Sequence, residues 1–180
     1  LLLGAGCGGP SDAEAEATAS VKLTIWRTFD NADAFREIMD AYRALHPNIS
    51  FDYKTLRSDE YEEALLRAFA TGEGPDIFSL HNTWIGEYTD LITPLPDTLS
   101  IPYTETRGTI KKETIVTVKT ERTLTQRDLR NAFVDVVAKD VVRSYQPDPS
   151  KDAESRIFAL PMALDTLVLY SNRDLMNAAG

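Results

Sequence analysis

The chain has 180 residues and a formal net charge of −9, from 28 acidic and 19 basic side chains. That balance excludes nucleic acid as a partner, because phosphate binding needs clustered Lys and Arg. Hydrophobic residues at 43% and charged residues at 26% describe a globular chain. No apolar run is long enough to span a bilayer, and a single cysteine, Cys7, rules out an intrachain disulfide.

Leu1-Leu-Leu-Gly-Ala-Gly-Cys7 reads as the tail of an apolar signal segment followed by small residues, with no initiating Met and no basic leader. Residues 8–20 carry no large apolar side chain and read as a solvated tether. Gly4-Ala-Gly6-Cys-Gly-Gly9 satisfies G-x-G-x-x-G, with Asp30 about 20 residues on. A dinucleotide site also needs a helix behind the glycines that packs on a sheet. Residues 10–20 begin with Pro and offer only Ala as apolar surface, so the motif carries no nucleotide site.

Val21, Leu23 and Ile25 alternate with polar residues at strand period. Asn31 or Asp33 can cap the helix that follows, whose apolar face is Phe35, Ile38, Met39, Tyr42 and Leu45. His46-Pro47 ends it. Ile49, Phe51 and Tyr53 form a second strand. Asp59 with Glu62 predicts a capping-box-like start to a second helix, with Tyr61, Leu65, Ala68 and Phe69 on its apolar face and Gly72 as its C-cap. Gly74-Pro75 then turns the chain into a short buried strand at Ile77–Leu80. This βαβαβ order implies a parallel sheet with helices on its faces.

The pattern changes after Thr93-Pro-Leu-Pro-Asp97. Thr114–Thr120 reads as a half-polar strand paired with Tyr103–Ile110, an inserted hairpin with no motif of its own. Thr125–Asp140 predicts one helix, opened by a Thr125–Asp128 capping pair, with Leu129, Phe133, Val136 and Val137 on one face. Gln146–Lys151 is an exposed loop. Phe158–Pro161 and Leu167–Tyr170 read as further strands, and a last helix starts at Ser171–Asp174 and stops at Gly180.

In this order, the blocks Ala68-Phe-Ala-Thr-Gly-Glu-Gly-Pro-Asp-Ile-Phe78 and Phe158-Ala-Leu-Pro-Met-Ala-Leu-Asp-Thr-Leu-Val-Leu-Tyr170-Ser-Asn-Arg-Asp174 resemble the extracellular solute-binding proteins of ABC importers, the family that includes maltose- and multiple-sugar-binding proteins. The resemblance covers most of residues 21–99 and 156–180. It implies an α/β, periplasmic-binding-protein-like (type II) two-lobe fold, of which this chain holds most of lobe 1 and the first hinge crossing. The implied division is 1–7 as the end of a lipoprotein signal peptide, 8–20 as tether, 21–99 as the α/β lobe 1, 100–150 as inserted hairpin and helix on the side of lobe 2, and 151–180 as hinge strands and helix. An apolar run ending at Cys7 resembles a lipobox, in which the cysteine thiol carries the lipid, although Gly4 holds the place where a larger aliphatic residue is usual. In the resembled family the chain continues into a second lobe.

Ligands of open parallel sheets bind beyond the carboxyl ends of the strands. Three segments qualify: Trp26–Asn31, His81–Trp84 and Leu164–Thr166. They combine aromatic faces with Asp, Asn and Arg, as a sugar needs. The expected ligand-binding residues are Phe29, Asp30, Asn31, Asn82, Trp84, Asp165 and Thr166, with Cys7 for lipidation. The resemblance matches Asp165 to the acidic position before the hinge strand. Each has a plainer reading: Trp26 and Trp84 as core, Asp30 and Asn31 as helix caps. His81 has no second His or Cys nearby and reads as a polar loop residue, so no metal or cofactor is expected.

The expected function is capture of a solute, a sugar or oligosaccharide, and its delivery by hinge closure to an ABC permease, from a lipid anchor on the extracytoplasmic face of the membrane. No G-x-S-x-G elbow and no H-E-x-x-H occurs, so no enzyme is expected. Two alternatives stay open: a secreted carbohydrate-active hydrolase using Asp30 and Asp165 as its carboxylate pair, and an adhesive surface lipoprotein.

Overall fold

The structure is a computed structural model and describes residues 18–109, 113–165 and 170–179. Cys7, most of the tether, Ile110, Thr166, Leu167–Leu169 and Gly180 lie outside the described residues. The chain is mixed α/β. β1 (Val21–Arg27), α1 (Ala32–Leu45), β2 (Ile49–Thr55), α2 (Ser58–Thr71) and β3 (Ile77–Phe78) follow in the expected order. The strands are parallel in the order β2-β1-β3, so the first strand in sequence is the middle of the sheet.

A middle strand in a parallel sheet needs cover on both faces. Leu23 and Ile25 are in register with Phe51 and Tyr53 and share one face; Trp26 is in register with Phe78 on the other. α1 covers the first face, with Phe35 stacked on Tyr53 at 5.6 Å and Tyr42 edge-on to Phe51 at 5.9 Å. α2 covers the second, where Tyr61 and Leu65 are buried among Trp26, Phe69 and Phe78. α1 stays half-covered: Ile38 and Leu45 point outward and are exposed.

Local chemistry sets the ends of both helices. Asn31 Oδ1 accepts from the Asp33 N–H at 3.1 Å, the expected cap of α1. The expected Asp59–Glu62 capping pair does not form. The N-cap of α2 is Arg57, in extended conformation and without a side-chain cap bond. Asp59 already lies inside the helix, past the position from which a side chain caps it, and the Arg57 guanidinium holds its carboxylate at 2.8 Å. Gly72 ends the helix in the left-handed region (φ 74°), and Glu73 N–H donates to the Ala68 carbonyl at 2.8 Å. Gly74 is needed for space, since a Cβ there would fall 2.3 Å from Phe69 Cδ1. That ring is itself packed edge-on against Phe78 at 5.2 Å.

The strand expected over residues 77–80 is shorter and less buried than its sequence suggests. Only Ile77 and Phe78 pair with β1, and Ile77 is 49% exposed. β3 is the sheet's edge, and α1 packs over β2 on the opposite side, so nothing covers Ile77. Asp76 anchors the strand's start. Its Oδ2 accepts from Thr24 N–H at 2.7 Å and from Thr24 Oγ1 at 2.8 Å, while its own N–H donates to Thr24 Oγ1 at 3.1 Å.

Two short 3-10 turns, Asn82–Trp84 and Thr89–Leu91, follow β3. The hairpin forms as β4 (Thr98–Arg107) against β5 (Glu113–Arg122), antiparallel and longer than the sequence indicates. His46, buried at the end of α1, docks it: Nδ1 lies 3.0 Å from the Pro102 carbonyl, and the ring sits between Tyr42 and Tyr103. A carbonyl only accepts, so Nδ1 carries the proton.

The single helix expected over 125–140 is two helices, α3 (Gln126–Ala132) and α4 (Asp135–Val141), separated by extended Phe133 and Val134. The Thr125–Asp128 capping box is present. The break lets Val137, Ala138 and Val141 join Leu129 in the core while Val136 faces out, half-exposed. α4 runs directly into β6 (Val142–Tyr145), which pairs antiparallel with β7 (Glu154–Ile157), a hairpin the polar Glu-Ser-Arg sequence does not advertise. The strand expected at Phe158–Pro161 is therefore displaced upstream. Phe158 follows β7, buried, and its N–H donates to the Val141 carbonyl at 2.9 Å. Tyr170 is exposed and lies outside any strand. α5 (Arg173–Ala179) is capped by Asn172 Oδ1.

Two buried clusters result. One centres on Tyr61, Leu65 and Tyr88; the other on Leu129, Val137, Val141, Ile157 and Phe158. Leu80 and Ile92 pack against both.

The bonds from Thr24 hold the Asp76 carboxyl below the usual carboxylate range, the backbone N–H contributing most. A lowered folded pKa means stability present above about pH 4 and lost as pH falls through the folded value. Asp76→Asn should cost about 1 kcal/mol at pH 7, a value kept small by the site's exposure, and should flatten the acid limb of the stability curve in urea titrations.

Candidate functional site

The loops that follow β1 and β3 leave the sheet side by side, because Trp26 and Phe78 are in register at the carboxyl ends of adjacent strands. Ser79 N–H extends the pairing by donating to the Trp26 carbonyl at 3.0 Å, and Leu56 N–H donates to the Arg27 carbonyl at 2.8 Å. Below them sits Tyr61 of α2. Its hydroxyl donates to the Ser79 carbonyl at 2.7 Å, with the Trp26 carbonyl at 3.2 Å. The helix thus grips both strand ends through one buried hydroxyl.

In the first loop, Asp30 is held through one carboxylate oxygen and its carbonyl. Its carboxylate pairs with Arg27 Nη2 at 2.7 Å, and its carbonyl accepts from Tyr53 Oη at 2.9 Å and Thr55 Oγ1 at 3.1 Å. The Arg27 guanidinium also lies 4.7 Å over the Phe35 ring. Asn31 caps α1, so its side-chain oxygen is taken. Phe29 is 84% exposed and stands free at the tip. Trp26 is part of the Tyr61–Leu65 core, and Lys54 Nζ covers its ring at 4.5 Å, which makes it a packing residue and not a stacking platform.

In the second loop, Trp84 packs on the Tyr61–Tyr88 cluster with one part still open to solvent, and its ring centre is 6.1 Å from that of His81. His81 accepts from Thr83 N–H and is occupied within its own turn. Asn82 Nδ2 donates to Asp140 Oδ2 of α4 at 3.0 Å, a contact with no warning in the sequence, since the two residues are separated by the whole hairpin. Asp165 is exposed and outside any regular element.

The structure therefore brings residues 29–31 and 82–84 to one edge. It gives Asp30 and Asn31 structural duties while leaving the Asp30 side chain 47% exposed, beside Phe29, Asn82 and the open part of Trp84. No contact joins Asp165 to that surface among the described residues. Two shallow depressions lie elsewhere, one among Leu95, Arg122 and Ser155 and one among Thr89, Pro94 and Tyr145; neither loop lines either of them. Among the described residues no cluster of three His, Cys, Asp or Glu side chains could hold a metal ion, and no helix is long and apolar enough to cross a membrane.

In open parallel sheets, the loops beyond the carboxyl edge are where ligands bind. Residues 28–101 match the family described as "Bacterial extracellular solute-binding protein". Over this segment the chain is similar to those proteins, as its motifs imply. An uncharacterized lipoprotein encoded in the oleD 5′ region of Streptomyces antibioticus is 31% identical over 77 residues, which is 43% of this chain and 17% of that protein. The crystal structure of M. tuberculosis UspC is 28% identical, with a TM-score of 0.39, over 42% of this chain and 20% of that one. The ABC substrate-binding protein Lmo0181 from Listeria monocytogenes, in complex with cycloalternan, is 21% identical with a TM-score of 0.38, over 41% and 20%. The chain thus spans about a fifth or less of the length of these relatives.

Burial pushes the Tyr61 hydroxyl up to about 12. A raised folded pKa means stability fully present below the unfolded value near 10 and lost as pH rises towards 12. Tyr61→Phe should cost about 1–2 kcal/mol at pH 7, because the buried hydroxyl's bond to the Ser79 carbonyl is lost, and should weaken the alkaline fall in stability. Urea denaturation at pH 7 and at stepped pH above 9 measures both effects.

Proposed function

We propose that this chain is part of an extracytoplasmic solute-binding protein that captures a sugar or oligosaccharide and hands it to an ABC permease. The observation that carries this reading is the place of the family match. Residues 28–101 contain both loops of the carboxyl edge, 28–31 and 79–84, together with the β2, α2 and β3 elements that hold them. The surface on that edge is of the kind a sugar requires: an aromatic side chain with solvent-facing area at Phe29 and Trp84, and an amide at Asn82.

In this reading the edge binds the solute weakly by itself, and a second lobe closes on it. Closure needs only a few kcal/mol of extra affinity for the closed form. Asp165 and Thr166 lie where the chain would cross between lobes. The segments 1–7, 8–20, 21–99, 100–150 and 151–180 then serve as signal end, tether, first lobe, inserted ribbon with helices, and hinge. The ligand leaves intact, so no turnover of glycan is expected.

Trp84→Ala and Asp165→Ala, made in the protein as its gene encodes it, should each weaken oligosaccharide binding by roughly tenfold or more, with circular dichroism unchanged. Isothermal calorimetry against maltose, maltotriose, cellobiose and trehalose provides the test. Unchanged affinity in both variants would sink the site assignment, while release of reducing ends from any of these sugars would favour the hydrolase.

The lipid anchor is placed at Cys7, with residues 8–20 as its leash, and the match to a Streptomyces lipoprotein supports it. Cys7→Ser should abolish incorporation of labelled palmitate and move the protein from the membrane fraction to the medium. Continued labelling of the variant would remove Cys7 from the role.

A further inference from the structure

We infer that Asp140 is a positioning residue of the solute site, one that fixes the amide of Asn82 so that its oxygen faces an incoming hydroxyl. This rests on the solute-binding reading above.

The geometry is a single long-range bond. Asn82 Nδ2 donates to Asp140 Oδ2 at 3.0 Å, from the turn after β3 to the last part of α4. A carboxylate accepts and never donates at neutral pH, so it selects one of the two orientations of the amide. Nδ2 must face Asp140, and Oδ1 must face away from it. No other bond to the Asn82 side chain occurs among the described residues. The free oxygen is therefore a preset acceptor on the carboxyl edge, and what it accepts is an O–H or N–H donor. Without Asp140 the amide could flip and present either atom, and part of the ligand's binding energy would go into ordering it.

Asp140 is itself well placed to hold still. α4 buries Val137, Ala138 and Val141 in the second cluster, and the Val141 carbonyl accepts from Phe158 N–H at 2.9 Å. The aspartate sits on a packed helix, half-buried, while its partner Asn82 sits on an exposed turn. The packed element thus orients the exposed one, which is the arrangement a preorganised site requires. The pair also joins the unit that carries β6 and β7 to the edge of the parallel sheet.

The test compares Asp140→Leu, Asp140→Asn and Asn82→Ala in the protein as its gene encodes it, by calorimetry against the sugar from the panel above that binds the wild type most tightly. Asp140→Leu removes the acceptor at similar volume and should weaken binding by roughly five- to tenfold. Asp140→Asn can offer Asn82 either an acceptor or a donor, so it no longer selects one orientation of the amide and should recover at most part of that affinity. The double variant Asn82→Ala/Asp140→Leu should bind no worse than Asn82→Ala alone, since Asp140 acts only through Asn82. Melting temperatures of all variants should stay within about 3 °C of wild type, because the bond is solvent-facing. Wild-type affinity in Asp140→Leu would overturn the inference while leaving the sugar reading standing. An Asp140→Leu defect that adds fully to Asn82→Ala, or that Asp140→Asn recovers completely, would overturn it as well. Failure of the wild type to bind any sugar of the panel would overturn both, and is a distinct result.

Discussion

One buried hydroxyl organises the edge on which this protein's surface chemistry sits. Tyr61 reaches from α2 to the carbonyls of Ser79 and Trp26, at the point where two parallel strands stop and their loops begin. Strand ends ordinarily leave backbone carbonyls looking for partners, and loops ordinarily answer with water. Here the helix answers, and it does so from within the core. The phenol ring fills the space between Leu65, Trp26 and Phe78 while its oxygen closes the sheet. The loops after β1 and β3 are therefore set by core packing as much as by their own sequence.

The same economy appears at the other end of β3, where Asp76 and Thr24 trade three hydrogen bonds. A strand of two residues has too little ladder to hold itself. Its start is fixed by a carboxylate and its end by a tyrosine, and the glycine at 74 leaves room for Phe69 to seal the space between. The segment from Gly72 to Leu80 is thus positioned by three side chains from outside it, and its short length is a consequence.

The βαβαβ order, the parallel sheet and the ends of α1 were legible because apolar alternation and Asn31 speak locally. Gly72 was legible for the same reason, since only glycine takes its conformation cheaply. What sequence could not carry were decisions made by partners far away. The break at Phe133–Val134 follows from which valines the core accepts. The β6–β7 hairpin uses Arg156, paired with Asp97 and Glu154, where the sequence looks like a charged loop. Asp30 looked like a ligand contact, yet Arg27, Tyr53 and Thr55 engage it. Asp140 looked like an ordinary helix-end acid, and only its meeting with Asn82, 58 positions away, gives it a role.

The β4–β5 ribbon closes on itself at its base, where Thr123 N–H donates to the Asp97 carbonyl at 3.1 Å. Its described attachment to the α1 side is made by Pro102 and Tyr103 through His46, midway along the ribbon. Residues 97 and 123 are therefore neighbours in space, whatever lies between them. Loop-closure cost grows only slowly with length, so the outer part of the ribbon can lengthen or shorten without disturbing the parallel sheet. In modular terms it is a handle: a place where the surface of the protein can be rewritten while the carboxyl edge held by Tyr61 keeps its shape.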